Sequence, residues 1–268
     1  MAGNRVMRNV QMIKNKWIWQ QDSWPNFTYQ IGSILPELEI LVRTVAPLEL
    51  LASELEPDKQ LNLESLILLD EALATAKIEG EILDRGSVRS SIAKHLGIGN
   101  VKRTSSSAEA FVEVLLASVR GYDAPLSDDL LFQWHNKMFY VKPILNTLLI
   151  GEYRNETMQI MSGAFGKQKV HFEAPCDHQQ CVADEMNHFL SWFNTTKLAD
   201  KEVSIYIKAA IAKFWFVTIH PFDDGNGRLS RVIAERCLAS VESNGIRLYS
   251  ISNEIEKNKN EYYELLEK

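Results

Sequence analysis

The stretch from residue 220 to residue 231, HPFDDGNGRLSR, concentrates side chains that could do chemistry. His220 is a potential general base, because an unperturbed histidine has a pKa of roughly 6.5 and is largely neutral near pH 7. Asp224 is a potential ligand for a hard divalent cation. Arg228 and Arg231 lie three residues apart, so on a helix their side chains project to neighbouring faces. A base, a metal ligand and two anion-binding groups therefore occur within one short segment.

The flanking sequence predicts that this segment joins two helices. Residues 203–219 are strongly apolar, and apolar residues recur at helical spacing between residues 228 and 239. A glycine turn between the helices can bring the backbone close to a ligand. The second helix then offers free N–H groups and the positive end of its dipole, which suit a phosphate. A helix hairpin with Asp and Gly for turn chemistry alone is the alternative, but it leaves the histidine and both arginines unexplained.

The segment resembles the signature of the Fic family, HPFx(D/E)GNGRxxR, and matches it at every specified position. Fic enzymes are mostly adenylyltransferases, which move AMP from ATP onto a hydroxyl side chain of a target protein. The resemblance implies that His220 takes the proton from the target hydroxyl and that Asp224 holds Mg2+ against the α- and β-phosphates. It also implies that five residues cradle or neutralise the phosphates, with the last of them near the γ-phosphate: Gly225, Asn226, Gly227, Arg228 and Arg231.

Two neighbouring positions in the signature receive no catalytic role. Phe222 is expected to point into the core, and Asp223 falls on a variable position. Phosphoryl-type transfer requires positioning and charge neutralisation rather than covalent chemistry by the protein, so the implied residue set is chemically sufficient. ATP, as substrate, and Mg2+ are the implied small molecules.

Three interpretations of this site stay open. The leading one is AMP transfer by a self-inhibited protein adenylyltransferase. The second is another Fic chemistry, either removal of AMP or transfer of a different nucleotide or phosphate group, although the intact GNGR disfavours the kinase-like variants. The third is a nucleotide-sensing module without turnover, which the intact His220 and Asp224 disfavour because a sensor has no need of a base.

A short motif ahead of the core predicts the self-inhibition. On local grounds Gly80 is a C-terminal helix cap and Glu79 is solvated. However, Thr75, Glu79 and Gly80 match the inhibitory motif (S/T)xxxE(G/N) that some Fic proteins carry on a helix before the core. That resemblance implies that Glu79 enters the active site and pairs with Arg231, so that the γ-phosphate cannot take its productive position.

The glycine-rich stretch 151–175 predicts two short strands around a turn. By resemblance this is the Fic flap, whose edge aligns a segment of the target protein through main-chain pairing; an ordinary surface hairpin is the alternative. The flap is expected to contact the nucleotide through Ile160, Met161, Ser162 and Gly163. Near the C-terminus, Tyr262 and Tyr263 resemble a pair that lines the adenine pocket of related Fic proteins, and a surface amphipathic helix is the alternative.

These assignments predict a mainly α protein, with a Fic-type helical core and a β-hairpin flap behind a small N-terminal helical domain. The predicted parts are an N-terminal domain at 1–98, its inhibitory helix at about 62–80, a linker at 99–107 and a catalytic core at 108–268. We also expect a short extended piece or hairpin at 17–29, a helix at 36–56 that Pro47 kinks or splits, another extended piece at 246–252 and a polar helix at 253–268. The chain ends inside that last helical pattern, which predicts a truncated chain.

Composition restricts the partners and the location. The chain has 268 residues, 46% of them hydrophobic and 24% charged, which is ordinary for a globular protein. The net charge of −6 gives no global footprint for nucleic acid, and no apolar run is long enough to span a membrane. The expected partner is an unknown target protein on the flap, and a homodimer stays open.

Two further expectations concern the cysteines. Three cysteines, an odd number, predict reduced thiols and a cytoplasmic location. Cys176 and Cys181 with His178 between them resemble part of a zinc site, but the second pair of ligands is missing, so zinc is disfavoured. His135, on a predicted helix, is interpreted as a packed or capped histidine.

Overall fold

A computed structural model describes residues 16–99, 104–139, 148–163, 168–195, 204–240 and 248–266. These residues form ten α-helices and one antiparallel pair of strands, which confirms the predicted mainly α fold with a small β-hairpin. None of the described helices combines the length and apolar character needed to cross a membrane. The elements in chain order are α1 (Ile31–Ser53), α2 (Pro57–Ile78), α3 (Arg85–Leu96), α4 (Ser106–Arg120), α5 (Asp128–Met138), β1 (Gln159–Ser162), β2 (Lys169–Glu173), α6 (Gln179–Thr195), α7 (Ile205–Ile219), α8 (Asn226–Ala239), α9 (Ile251–Lys257) and α10 (Lys259–Leu266).

Local signals in the sequence set the ends of the N-terminal helices. α2 starts with Pro57, whose missing N–H costs no hydrogen bond at the first position of a helix. α3 is capped by Asp84, whose side chain accepts a hydrogen bond from the backbone N–H of Ser87 at 2.7 Å. It ends at Gly97, which adopts the left-handed conformation that stops a helix.

Three local predictions differ from the structure. Pro47 does not split α1, because Arg43 and Pro47 are both exposed and water can satisfy the carbonyl that the proline leaves unpaired; a kink at Pro47 stays a prediction. The stretch 17–29 contains a 3-10 turn at Ile18–Gln20 instead of extended structure. Of the predicted extended piece at 246–252, the first two residues lie outside the described part of the chain, and Ile251 already begins α9.

The predicted linker also differs from the structure. α4 begins inside it, at Ser106, where the side chain of Ser105 caps the helix by accepting from the N–H of Ala108 at 3.4 Å. Residues 100–103 of the predicted linker lie outside the described part.

The core is built around the α7–α8 hairpin. α7 is apolar on almost every side, which is the pattern of a helix that is buried on most of its surface. α8 contacts α2, α4, α5, α7 and α9, and nearly all of its side chains are buried, including its arginines. The largest buried side chains of this core include aromatic residues from α5, α6, α7 and the connecting loop: Trp134, Phe189, Phe216 and Phe222.

Two buried carboxylates fix α2 against the rest of the protein. Glu71 accepts hydrogen bonds from the Ser250 hydroxyl at 2.7 Å and from the N–H of Ser252 at 3.0 Å, at the start of α9. Glu64 accepts two hydrogen bonds from Arg120 of α4, at 2.8 and 2.7 Å. These contacts hold α2 against α4 and the start of α9, and the residue that follows α2, Glu79, reaches the first turn of α8, in the middle of the signature.

Candidate active site

The histidine of the signature ends α7 with a defined proton arrangement. His220 has a φ of +51°, a left-handed conformation that is uncommon for residues other than glycine. Its Nδ1 lies 3.1 Å from the carbonyl oxygen of Val217, and a carbonyl can only accept, so Nδ1 carries the proton. The lone pair of Nε2 is therefore available to a substrate. Burial lowers the pKa of His220 to about 4, which keeps the ring neutral near pH 7.

The backbone around His220 is held by a buried arginine that the sequence analysis missed. Arg154 donates to the carbonyl oxygens of His220 at 2.7 Å and Ile219 at 3.2 Å. It also donates to Pro175 at 2.5 Å and Cys176 at 2.8 Å, just after β2. One guanidinium thus joins the loop that carries the base to both ends of the β-hairpin, since Arg154 itself precedes β1.

The loop between α7 and α8 is closed by side chains of the signature. Oδ1 of Asn226 accepts from the N–H of Phe222 at 3.0 Å, and its Nδ2 donates to the Phe222 carbonyl at 2.7 Å. The Asn226 side chain is therefore used within the loop, so only its backbone can face a phosphate. Phe222 is fully buried, as predicted, and stacks on His135 with ring centroids 4.2 Å apart.

His135 supports the other side of this loop. Its Nε2 lies 3.1 Å from the Asp224 carbonyl oxygen and its Nδ1 accepts from the N–H of Gly151 at 2.9 Å, so Nε2 carries the proton. The histidine is buried, and burial lowers its pKa. The interpretation of His135 as a packed histidine is confirmed. Asp223, on the variable position, accepts from the N–H of Leu149 at 2.9 Å.

The N-terminus of α8 presents an anion site beside one carboxylate. Gly225 occupies the N-cap position with a φ of +81°, and a Cβ there would lie 2.8 Å from the ring of Phe139. A glycine has no side chain that could cap the helix, so the first N–H groups of α8 are available to a ligand. The Asp224 side chain lies beside them and is 56% exposed.

This donor set fits Mg2+ bound through phosphates. Asp224 is one carboxylate at an anion site, and the described residues contain no cluster of three metal-binding side chains. A hard cation that keeps several waters and takes its other ligands from phosphate oxygens requires no more than this. The role of Asp224 as the Mg2+ ligand stays a prediction that this geometry fits.

The second signature arginine is fully engaged by α2. Arg231 is 4% exposed, and its Nε donates to the hydroxyl of Thr75 at 2.5 Å. Its Nη2 donates to Oε1 of Glu79 at 2.6 Å and to the Thr75 carbonyl at 3.3 Å. The Glu79 carboxylate lies over the first turn of α8, so close that a Cβ on Gly227 would collide with it. An internal anion thus covers the helix N-terminus that suits a phosphate.

The first signature arginine is paired with a carboxylate that the sequence analysis missed. Nη1 of Arg228 donates to Oε1 of Glu81 at 2.6 Å, and the guanidinium lies 4.9 Å from the ring centroid of Phe139. Glu81 follows Gly80, whose φ of +81° turns the chain after α2 so that Glu79 and Glu81 both reach the signature. The sequence predicted Gly80 as a helix cap, which is this turn, but it did not reveal that Glu81 would bind Arg228.

The predicted nucleotide contacts on the flap lie on β1. Ile160 and Met161 are 45% and 47% exposed, and every residue of β1 is exposed. Ile160 pairs with Phe172 and Met161 with Val170, with a bulge between the two pairs. Residues 164–167 of the predicted turn lie outside the described residues, whereas Ser162 and Gly163 lie within them. This edge is therefore exposed to solvent, and its contact with a nucleotide stays a prediction.

The tyrosine pair of α10 lies beside the Glu79–Arg231 pair. The Tyr262 hydroxyl accepts a hydrogen bond from Lys213 of α7, and the two tyrosine rings lie 5.4 Å apart. Lys259, at the start of α10, donates to the carbonyl oxygen of Ile78 at the end of α2, at 2.5 Å. Tyr263 is 41% exposed. α10 thus forms one wall of the region around Glu79.

The expectation of three reduced thiols was wrong for two of the cysteines. Cys176 and Cys181, at the turn into α6, form a disulfide with their Cα atoms 5.4 Å apart. A disulfide removes both thiolates as zinc ligands. Cys237 is a free, buried thiol, and burial raises its pKa to about 12. The cysteines therefore do not support the predicted cytoplasmic location.

The geometry agrees with comparisons to known proteins. Residues 125–238 match the model of the Fic/DOC family, and residues 17–98 match a domain of unknown function, DUF4172. The chain carries a Fic domain. The matched segment of the Fic domain includes β1, β2 and the whole signature, and the DUF4172 segment includes the helix that carries Glu79.

Solved structures of Fic proteins share this fold. A Fic domain-containing signaling protein from Bacteroides thetaiotaomicron superposes with a TM-score of 0.61 at 16% identity, covering 83% of this chain and 80% of that one. A Fic family protein from Desulfovibrio desulfuricans gives 0.61 at 21% identity, covering 90% and 67%. Fic-1 from C. elegans gives 0.56 at 18% identity, covering 88% and 67%. The matches span most of this chain, so the N-terminal helices belong to the shared architecture.

Proposed function

We propose that this protein is a self-inhibited protein adenylyltransferase, which transfers AMP from ATP to a hydroxyl side chain of a target protein. The observation that carries the proposal is the 2.6 Å contact between Glu79 and Arg231 at the N-terminus of α8. A carboxylate occupies the position of an anion beside a neutral histidine, an exposed aspartate and two arginines. This arrangement suits a nucleoside triphosphate whose productive binding is blocked by the side chain of Glu79.

The proposed reaction uses His220 as the base. The target hydroxyl oxygen attacks the α-phosphorus of ATP, and the bond from that phosphorus to the oxygen bridging the β-phosphate breaks. Nε2 of His220 takes the hydroxyl proton, so the products are an AMP ester of the target and pyrophosphate. Arg228, Arg231 and the N–H groups of α8 neutralise the charge on the phosphates. Mg2+, when bound, supplies further positive charge at the phosphate oxygens.

Self-inhibition follows from competition for the same groups. Arg231 is buried and Glu79 is 28% exposed, so their hydrogen bond is shielded from water and is expected to be strong. A γ-phosphate that needs Arg231 must displace the carboxylate. Thr75 holds the arginine in place through its own hydroxyl, which keeps the guanidinium oriented towards Glu79.

Label position tests the proposed reaction. We expect the Glu79→Gly chain, incubated with Mg2+ and ATP, to retain label from the α-phosphorus on protein and none from the γ-phosphorus. Retained γ-label would instead indicate phosphate transfer, and ATP binding without either label would indicate a nucleotide sensor. Release of AMP from an adenylylated protein by the unaltered chain, without transfer by the variant, would indicate AMP removal. Each of these three results would contradict the proposal.

Glu81 is proposed to make a second, weaker inhibitory contact through Arg228. Because the Glu81 side chain is 47% exposed, its ion pair is partly screened by solvent. We expect Glu81→Gln to raise the rate of AMP labelling by roughly two- to fivefold, the size typical of exposed ion pairs. Labelling rates of Glu81→Gln and Glu79→Gly, measured together, should show the smaller effect for Glu81. A loss of labelling in Glu81→Gln would show that the contact supports catalysis.

The pH dependence should report the buried histidine. A base with a pKa of about 4 stays neutral at pH 5.5, whereas an unperturbed histidine would lose roughly nine-tenths of its neutral form there. We therefore expect kcat of the Glu79→Gly chain, at saturating ATP and Mg2+, to change less than about twofold between pH 7 and pH 5.5. A decrease with a midpoint near pH 6.5 would mean that the ring is solvated in the working enzyme.

A further inference from the structure

Lys213 of α7 faces the same site but belongs to no part of the signature. It lies on the helix that His220 terminates, seven residues before that histidine. The Lys213 ammonium donates to the Tyr262 hydroxyl and lies 4.1 Å from the centroid of that ring. The lysine is partly buried between α7 and α10.

The charges around Lys213 are unbalanced. It interacts electrostatically with Arg231 of α8 and Glu79 of α2, while Tyr262 of α10 supplies a neutral hydroxyl. One carboxylate therefore serves two cationic groups. Burial and the nearby Arg231 lower the pKa of Lys213 to about 7, and Glu79 opposes that decrease. If Glu79 leaves, Arg231 and Lys213 still repel each other, and the carboxylate that offset this repulsion is gone.

We propose that Lys213 is a nucleotide-binding residue, whose ammonium binds the terminal phosphates of ATP once Glu79 has moved away from Arg231. This inference rests on the proposed function. An ammonium has three donors, and Tyr262 uses one of them and orients the group. The other donors can bind phosphate oxygens beside Arg231. The end of a triphosphate carries several negative charges. It can therefore neutralise both Arg231 and Lys213, whereas the Glu79 carboxylate carries a single charge.

A second partly buried lysine on the same helix provides a matched control. Lys208 donates to the carbonyl oxygen of Phe193 at 2.7 Å and lies 4.9 Å from the centroid of that ring. It thus repeats the geometry of Lys213, an ammonium against an oxygen and an aromatic ring. However, its partner lies on α6, on the other side of α7 from α10.

Binding of ATP and AMP separates the proposed role from a structural one. In the Glu79→Gly chain, we expect Lys213→Met to raise the Kd for ATP roughly tenfold or more, the effect of one charge-assisted hydrogen bond. The Kd for AMP should change less than about twofold, because AMP lacks the terminal phosphates. Lys213→Arg should recover most of the ATP affinity, and Lys208→Met should leave both constants unchanged. Calorimetric titration with Mg2+ present measures all of them.

Proton uptake gives a readout that a structural lysine would not produce. The pKa of Lys213 is about 7 while Glu79, which raises it, is present, so in the Glu79→Gly chain the lysine should be mostly neutral at about pH 8. The phosphates should raise its pKa, so that ATP binding takes up protons. Titrations in two buffers of different ionisation enthalpy should show this uptake in the Glu79→Gly chain. The uptake should be lost in its Lys213→Met derivative. Equal uptake in both chains would overturn the proposal.

A second variant keeps the test independent of folding. Tyr262→Phe retains the lysine and the aromatic ring but removes the oxygen that orients the lysine, so ATP affinity should fall by a smaller factor than in Lys213→Met. ATP affinity that is unchanged in both Lys213→Met and Tyr262→Phe would refute the role of Lys213 and leave the proposed function standing. If the Glu79→Gly chain itself binds no ATP, the proposed function fails instead.

Discussion

Replacing Glu79 with glycine should raise the Mg2+-dependent incorporation of AMP by roughly 10- to 100-fold. The range is the factor that corresponds to a charge-assisted hydrogen bond worth about 1.5–3 kcal/mol. The bond is short, at 2.6 Å, and Arg231 is 4% exposed, so water screens it little. Auto-labelling from ATP labelled at the α-phosphorus, compared between the variant and the unaltered chain at equal protein concentration, measures the increase.

The end of α2 offers a matched control for this experiment. Lys77 and Glu256 form an ion pair at the same distance of 2.6 Å, only two residues from Glu79, but Lys77 is 69% exposed and lies outside the site. Glu256→Gln should leave the labelling rate unchanged. If it raised labelling as much as Glu79→Gly does, the effect would come from loosening α2 and the inhibitory role of Glu79 would be wrong.

The Glu79→Gly variant should also be less stable than the unaltered chain, and ATP with Mg2+ should stabilise it more. Removing one partner of a largely buried ion pair leaves Arg231 without its counter-ion, which costs up to several kcal/mol. We therefore expect a lower Tm for Glu79→Gly without nucleotide and a larger increase in Tm on adding ATP and Mg2+ than the unaltered chain shows. An equal ATP-induced shift in both chains would mean that Glu79 does not compete with the nucleotide.

Replacing His220 with alanine, in the Glu79→Gly chain, should reduce AMP transfer by roughly 100-fold or more. A positioned general base typically contributes a factor of 10² to 10⁴. The N-terminus of α8 and both signature arginines are untouched by this change, so the Kd for ATP should stay within about twofold. Single-turnover labelling and calorimetric titration on the same preparation measure the two quantities separately.

The backbone at His220 requires a second variant. Alanine in a left-handed conformation is strained by about 1 kcal/mol, whereas asparagine tolerates it. His220→Asn should therefore keep the loop in place and still lose transfer, because an amide is not a base. Loss of ATP binding in both variants would show that His220 holds the loop rather than moving a proton.

The sequence predicted the signature loop well because its determinants are local. The apolar α7, the glycine turn and the helical spacing after Arg228 all lie within about forty residues of one another. Phe222 was expected in the core and is fully buried. The Glu79–Arg231 contact was anticipated through resemblance alone, since local reasoning made Glu79 a solvated residue next to a helix cap.

Other parts of the site depend on contacts between distant segments. Arg154 acts on carbonyl groups 21 to 66 residues away, and no periodicity marks an arginine for such a role. Lys213 was hidden within an apolar helix, where it reaches Tyr262, 49 residues along the chain. Glu81 reaches Arg228 because Gly80 turns the backbone; local reasoning predicted Gly80 as a helix cap, but it could not predict which distant side chain Glu81 would meet. Whether α1 could continue through Pro47 also depended on tertiary structure, because Arg43 and Pro47 are exposed to water there.

Because Gly227 has no side chain, its position limits which mutations could relieve the proposed inhibition by Glu79. The open space above this glycine admits the Glu79 carboxylate, and in the proposed reaction it also admits the substrate's phosphates. A methyl group there would exclude both the carboxylate and the phosphates. A substitution of Gly227 should therefore be unable to relieve the inhibition while preserving nucleotide binding. Substitutions that raise AMP transfer should therefore occur in α2 and in the turn that follows it, whereas substitutions in the signature loop should only reduce AMP transfer.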